Sequence, residues 1–150
     1  MKTVDIDYIS NYILYNSRDA ENVYYYFDLT ESEIISIDAL KSKYSFTDDI
    51  FSDKLTLQYV YNIVPLATMD ITSQIRNYLY GLNNRRIDYK IKNLDGDSLY
   101  IYFQKLWDTE DKIFLSQWDK YQKKYSVKLA VEWCEENNIP YLKGEDYEHN

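Results

Sequence analysis

Residue types that commonly carry out catalysis are scarce in this chain. It contains one histidine, His149, and one cysteine, Cys134, so a Ser/His/Asp or Cys/His arrangement would depend on the second-to-last residue. One residue of each type also gives no basis for a Cys/His zinc site. The three glycines are isolated from one another, which argues against a glycine-rich phosphate loop. We therefore expect a protein that is not an enzyme and that uses no metal or other cofactor.

One short motif leaves a catalytic alternative open. Asp88 and Lys90 are separated by one residue and would share one face of a strand. An Asp/Glu-x-Lys triplet occurs in a large family of metal-dependent nucleases, where carboxylates hold Mg²⁺ and the lysine orients the attacking water. A second acid would be needed, and Asp97 and Asp70 are the candidates. A cross-strand or surface ion pair is the simpler interpretation of this motif.

Aromatic and acidic side chains are the stronger indication of function. The chain has 18 tyrosines and three tryptophans, and its net charge is −8. Tyrosine and tryptophan often anchor protein interfaces, because they offer a large rigid area with a polar tip. Two aromatic stripes at helical spacing and one acidic cluster supply the candidate binding residues, although each stripe also fits a core or core-edge face. These residues are Tyr8, Tyr12, Tyr15, Asp108, Glu110, Asp111, Trp118, Tyr121 and Tyr125.

Length and composition predict one globular domain over residues 1–150, with a short acidic tail from about residue 143. The N-terminus lacks a signal-peptide pattern, and no apolar run is long enough to span a membrane. A lone cysteine allows no intrachain disulfide, which favours a reducing, cytoplasmic setting. Abundant Tyr, Ile, Asn and Lys with few Gly, Pro, Ala and Arg indicate an AT-rich genome, such as that of a low-GC bacterium or its phage.

Hydrophobic periodicity and turn residues predict an α+β fold. We expect a four- or five-stranded, mainly antiparallel sheet with helices packed on one face. Asp95 and Gly96 form a turn signal that predicts a β-hairpin. Thr30 and Glu33 match a helix capping box, and Asp108 is the predicted N-cap of a later helix. The predicted helices cover residues 5–16, 30–42, 70–80, 108–124 and 126–138, and the predicted strands cover 23–27, 55–64, 86–92, 97–106 and 139–142.

An acidic, aromatic-rich chain without a catalytic motif fits a protein that occupies a basic surface of another protein. The leading hypothesis is an inhibitor encoded by a phage or mobile element. It would block a host nucleic-acid enzyme, as an anti-CRISPR or other anti-defence protein, with carboxylates mimicking phosphates. The alternatives are a toxin-neutralising immunity protein, a self-assembling structural or phage component, and the nuclease based on Asp88 and Lys90. We expect a basic protein partner, no direct contact with nucleic acid or membrane, and a homo-oligomer as an open alternative.

Overall fold

The computed structural model describes residues 2–16, 23–109 and 112–143, with the side chains of residues 15 and 112–115 excepted. Within these ranges the protein is mainly helical. The helices are α1 (Ile6–Asn16), α2 (Ile37–Tyr44), a 3-10 helix (Asp48–Ser52), α3 (Lys54–Tyr61), α4 (Ile71–Gly81), α5 (Arg85–Ile91), α6 (Gly96–Thr109) and α7 (Lys112–Glu136). The strands are β1 (Val4–Asp5), β2 (Tyr25–Asp28), β3 (Glu33–Ser36), β4 (Ile63–Pro65) and β5 (Tyr141–Leu142).

The sheet content is much smaller than the sequence predicts. β2 is the middle strand of a three-stranded antiparallel sheet, with β3 on one side and β4 on the other. β1 and β5 form a separate two-stranded parallel sheet. The predicted four- or five-stranded sheet with helices on one face is therefore wrong for the part of the chain that the structure describes.

The segment predicted as a strand over residues 55–64 is mostly helix α3. Asp53 is the N-cap of this helix, and its carboxylate accepts a hydrogen bond from the backbone N–H of Thr56 at 3.1 Å. Asn62 ends the helix in a left-handed conformation, with a φ of 56°. Only the three residues of β4 that follow are extended.

The predicted hairpin is also wrong, because its two strands are helices α5 and α6. Asn84 caps α5 through its side-chain oxygen. The carboxylate of Asp95 accepts hydrogen bonds from the backbone N–H and the hydroxyl of Ser98, in the manner of a helix N-cap. Gly96 opens α6 without the positive φ that a type I′ turn requires.

Three other predicted helix starts differ from the structure. Thr30 lies in the turn between β2 and β3, and α2 begins only at Ile37, where Ser36 is the N-cap. Asp108 lies in the last turn of α6 instead of capping a helix, and α7 is continuous through Ser126. The predictions for α1, β2, α4 and β5 are confirmed to within two residues at most ends. The predicted acidic tail lies outside the described residues, apart from Lys143.

The chain divides into two compact units, one formed by Met1–Met69 with Ser126–Asn150 and the other by Asp70–Tyr125. The expectation of a single domain stays a prediction. In the first unit, Ile6, Ile9 and Ile13 bury one face of α1 in a core that includes Phe27 and Trp133. A smaller core in the same unit lies around Tyr26, Leu40, Leu57 and Ile63. The second unit packs α4, α5 and α6 and part of α7 around Leu79, Leu99 and Trp118, among others. Within the described ranges, the structure contains no helix long and apolar enough to cross a membrane.

Candidate functional site

Three tyrosine rings of the first unit form a continuous series. Tyr8 and Tyr12 lie one helical turn apart on α1, so their side chains are neighbours. Their ring centroids are 5.2 Å apart at an interplanar angle of 70°. Tyr12 also contacts Tyr25 of β2, with centroids 5.0 Å apart at 76°. We call Tyr8, Tyr12 and Tyr25 the tyrosine surface. Edge-to-face pairs of this kind add stabilisation beyond simple burial and hold the rings in defined orientations.

A depression lies beside these rings on the outer side of α1. Tyr8, Asn11, Tyr12 and Leu14 line it, and its volume is about 360 Å³. The Tyr8 side chain is 43% exposed, whereas Tyr12 and Leu14 are half-buried. We call this feature the α1 depression. All four of these residues belong to α1, so the depression is an open feature of one helix face, with two aromatic rings, one aliphatic side chain and one amide.

Asn16, the last residue of α1, fixes this helix against the strand that carries Tyr25. Its side chain is fully buried. The Asn16 Oδ1 accepts hydrogen bonds from the backbone N–H groups of Tyr24 at 2.7 Å and Tyr25 at 3.0 Å. Its Nδ2 donates to the carbonyl oxygens of Leu66 at 3.1 Å and Ala67 at 3.3 Å. One side chain therefore joins α1, the start of β2 and the chain after β4, and it sets the position of Tyr25 relative to Tyr12.

The carboxylate of Glu33 adds negative charge to the surroundings of Tyr8. The pKa of Tyr8 is raised mainly by partial burial, and the neighbouring Tyr12 and the carboxylate of Glu33 raise it further. A hydrogen bond with the backbone of Ile34 acts in the opposite direction. Asp7 lies in the first turn of α1, one residue before Tyr8. The carboxylate of Glu33 thus makes added negative charge unfavourable at the Tyr8 hydroxyl.

The second predicted stripe runs from the core of the other unit to its surface. Trp118 is only 5% exposed, and its ring packs 5.1 Å from Tyr78 and 4.9 Å from Phe103. Tyr121 is half-buried and stacks on Trp118 with centroids 5.9 Å apart. Tyr125 is exposed and lies 6.4 Å from Tyr121. Trp118 thus has a packing role here and offers almost no surface to a partner.

Of the remaining predicted site residues, the structure describes the side chain of Asp108 alone. Asp108 is exposed in the last turn of α6, while Glu110 and Asp111 lie outside the described residues. The side chain of Tyr15 is likewise outside them.

The geometric basis of the nuclease motif is absent, because α5 is a helix. Residues separated by two positions on a helix point about 200° apart, so Asp88 and Lys90 do not share a face. The described residues contain no group of three or more His, Cys, Asp or Glu side chains arranged to hold a metal ion.

Sequence reasoning missed Tyr25 and Asn16. Tyr25 lies within a run of three tyrosines whose members the sequence alone does not distinguish. Asn16 is a polar residue at a helix end, where asparagine is common for local reasons, and its four partners are eight to 51 residues away. An exposed apolar face on α3, formed by Leu55, Tyr59 and Val60, was not predicted either, because residues 55–64 were predicted to be a strand.

Comparison with known proteins adds no assignment. No protein-family model matches the sequence, no curated protein matches it significantly, and no solved structure matches its fold.

Proposed function

We propose that this chain is a small acidic inhibitor that binds a basic surface of a host nucleic-acid enzyme through the tyrosine surface and the α1 depression. In this proposal a phage or mobile element encodes it, and it acts in the cytoplasm of the host cell as an anti-CRISPR or other anti-defence protein. It binds protein and contacts neither nucleic acid nor membrane.

The observation that carries the proposal is the exposed ring of Tyr8 on α1 beside the negative charge of Glu33 on β3. Tyr8 is partly exposed, its ring meets that of Tyr12, and the carboxylate of Glu33 acts on its hydroxyl. Aromatic side chains supply affinity at interfaces, and acidic side chains supply attraction to a basic partner and a faster association rate. Asn16 holds the surface in place, so little conformational entropy is lost when a partner binds.

An immunity protein that covers the active site of a basic toxin would use the same chemistry. The self-assembling alternative has a different support, namely the exposed face of α3. Tyr59 on that face is 75% exposed, and Leu55 lies one turn before it. An apolar helix face of this kind would suit contact with a second copy of the chain.

Affinity capture with matched variants tests the proposal. Wild-type protein, Tyr8→Ala and Tyr80→Ala are immobilised and exposed to lysate of a low-GC bacterium, then washed with increasing salt. Tyr80 is the matched control, since it is also a helical tyrosine and is 40% exposed, but it lies on α4 in the other unit. Retained enzymes are identified by mass spectrometry, purified, and assayed on nucleic acid with and without the free chain.

The expected result is one basic nucleic-acid enzyme that wild type and Tyr80→Ala retain and inhibit, and that Tyr8→Ala retains weakly. Salt should release it, because the attraction between exposed charges is screened. Capture of a toxin instead would support the immunity alternative. Binding without inhibition, or no enzyme bound at low salt, would refute the proposal. Light scattering of wild type and Tyr59→Ala tests self-assembly, which predicts an oligomer that the variant dissociates.

A further inference from the structure

The α1 depression has the size and lining of a site for one side chain. Its volume of about 360 Å³ lies at the lower end of the range for ligand pockets, which is about 300–1,000 Å³. Among the described residues, those that line it are Tyr8, Asn11, Tyr12 and Leu14, and none of these carries a charge at neutral pH. A guest in this depression would therefore contact mainly ring and aliphatic surface.

The arrangement of the two rings favours a cation as that guest. Tyr8 and Tyr12 are inclined at 70°, so the edge of one ring covers only one face of the other, and Tyr8, which is 43% exposed, keeps ring surface open to another group. The face of an aromatic ring carries partial negative charge and attracts Lys, Arg and ligand cations. The carboxylate of Glu33, which acts on Tyr8, favours positive charge in the same place.

Arginine fits this lining better than lysine does. A guanidinium group is planar, stacks on aromatic rings, and is less strongly hydrated than an ammonium group, so less hydration is lost when it is buried.

We propose that the α1 depression binds an arginine side chain of the partner protein, with the guanidinium group against the rings of Tyr8 and Tyr12. This inference rests on the proposed function, since it names the group on the basic surface that the inhibitor covers. Arginines that contact phosphates in a nucleic-acid enzyme are exposed and desolvate readily, so capture of one would block substrate at that position.

NMR titration of the intact chain tests the site without the partner. The probes are N-acetyl-arginine amide and N-acetyl-citrulline amide, which have nearly the same shape but differ in charge. The chain carries ¹³C-labelled tyrosine, and the variants Tyr8→Phe and Tyr12→Phe assign the ring signals. The arginine probe should shift the Tyr8 and Tyr12 signals in a saturable manner and leave Tyr80 unchanged, and the citrulline probe should shift neither.

Variants then separate a specific site from general attraction to an acidic protein. Tyr8→Leu should weaken arginine binding about 2- to 30-fold, the range expected for one cation–π contact. Tyr8→Phe keeps the ring and should bind nearly as wild type, and Tyr80→Leu should have no effect. Glu33→Gln should weaken binding by a smaller factor that vanishes at high salt.

Equal responses to arginine and citrulline, or no saturable shift at Tyr8 and Tyr12, would overturn the inference. Because the titration uses no partner, these results are independent of affinity capture. If the arginine probe binds but no enzyme is captured, the arginine site is supported and the proposed inhibitor function is refuted. If an enzyme is captured but the arginine probe does not bind, the inhibitor function is supported and the arginine site is refuted.

Discussion

Replacement of Asn16 by alanine should destabilise the first unit strongly, because its side chain makes four hydrogen bonds in a fully buried position. Alanine removes the acceptor for the N–H groups of Tyr24 and Tyr25 and the donor to the carbonyls of Leu66 and Ala67. A buried polar group that loses its partner costs about 1–3 kcal/mol. Three of the four hydrogen bonds are only partly buried, so water can replace some of the lost partners and the total cost is smaller than four times this value. We therefore expect the free energy of unfolding to fall by about 2–4 kcal/mol.

Urea denaturation followed by circular dichroism and tryptophan fluorescence measures this loss. With a slope of about 2 kcal/mol per molar urea, the midpoint should fall by roughly 1–2 M. Asn77→Ala is the matched control, since Asn77 is exposed on α4. It should change the free energy of unfolding by no more than about 0.5 kcal/mol. If Asn16→Ala lowers stability no more than Asn77→Ala does, the Asn16 network does not hold α1 against β2 and our account of the site is wrong.

Three further predictions concern single side chains. Gln74 is buried, and neither polar atom of its amide has a hydrogen-bond partner among the described residues. Gln74→Leu should therefore raise the free energy of unfolding by about 1–2 kcal/mol. Gln104→Leu is the control, since Gln104 is exposed. A loss of stability in Gln74→Leu would contradict this. Asp70 caps α4, and hydrogen bonds from the side chain and backbone of Ser73 hold its pKa below the ordinary value. The ionised Asp70 carboxylate therefore stabilises the folded state above the unfolded pKa of about 3.9, and this stabilisation is lost as pH falls through the folded pKa. Asp70→Ala should lower the free energy of unfolding, measured by urea denaturation, by about 1 kcal/mol at pH 7 and not at all in strong acid. An equal cost at both pH values would refute the role of its charge. Burial, with a smaller effect from Glu135, raises the pKa of Cys134 to about 12, so a thiol reagent at pH 8 should label it slowly in the native protein and rapidly in urea. Rapid native labelling would contradict the buried position.

Sequence reasoning succeeded where apolar residues followed a clear helical period. In α1 the isoleucines at positions 6, 9 and 13 follow the helical period, and all three are fully buried. In α4 an apolar stripe follows Asp70, whose carboxylate accepts hydrogen bonds from the backbone N–H groups of Thr72 and Ser73. A cap and a period together define both the start and the buried face of a helix.

Prediction of secondary structure from the sequence failed where β propensity was the main evidence. Tyrosine and isoleucine are abundant throughout this chain, so their presence in residues 55–64 and 86–106 distinguishes strand from helix poorly. The alternation of apolar residues over 55–64 predicted a strand face, yet in α3 only Leu57 is buried while Leu55 and Tyr59 are exposed. Asp53 and Asp95 are cap residues by type, and giving them more weight than propensity would have identified α3 and α6.

The candidate site shows why spacing alone does not locate a binding surface. Tyr121 and Tyr125 are spaced like Tyr8 and Tyr12, and both pairs lie on helices. Yet on α7 the same stripe includes Trp118, which Tyr78 of α4 and Phe103 of α6 enclose, as well as Tyr125, which is exposed as Tyr8 is on α1. Periodicity defines a face of a helix, but the elements that cover that face come from distant parts of the sequence. The α1 depression is distinguished by the exposure of Tyr8, by the angle between the rings of Tyr8 and Tyr12, and by the nearby Glu33. Each of these features exists only in the folded chain.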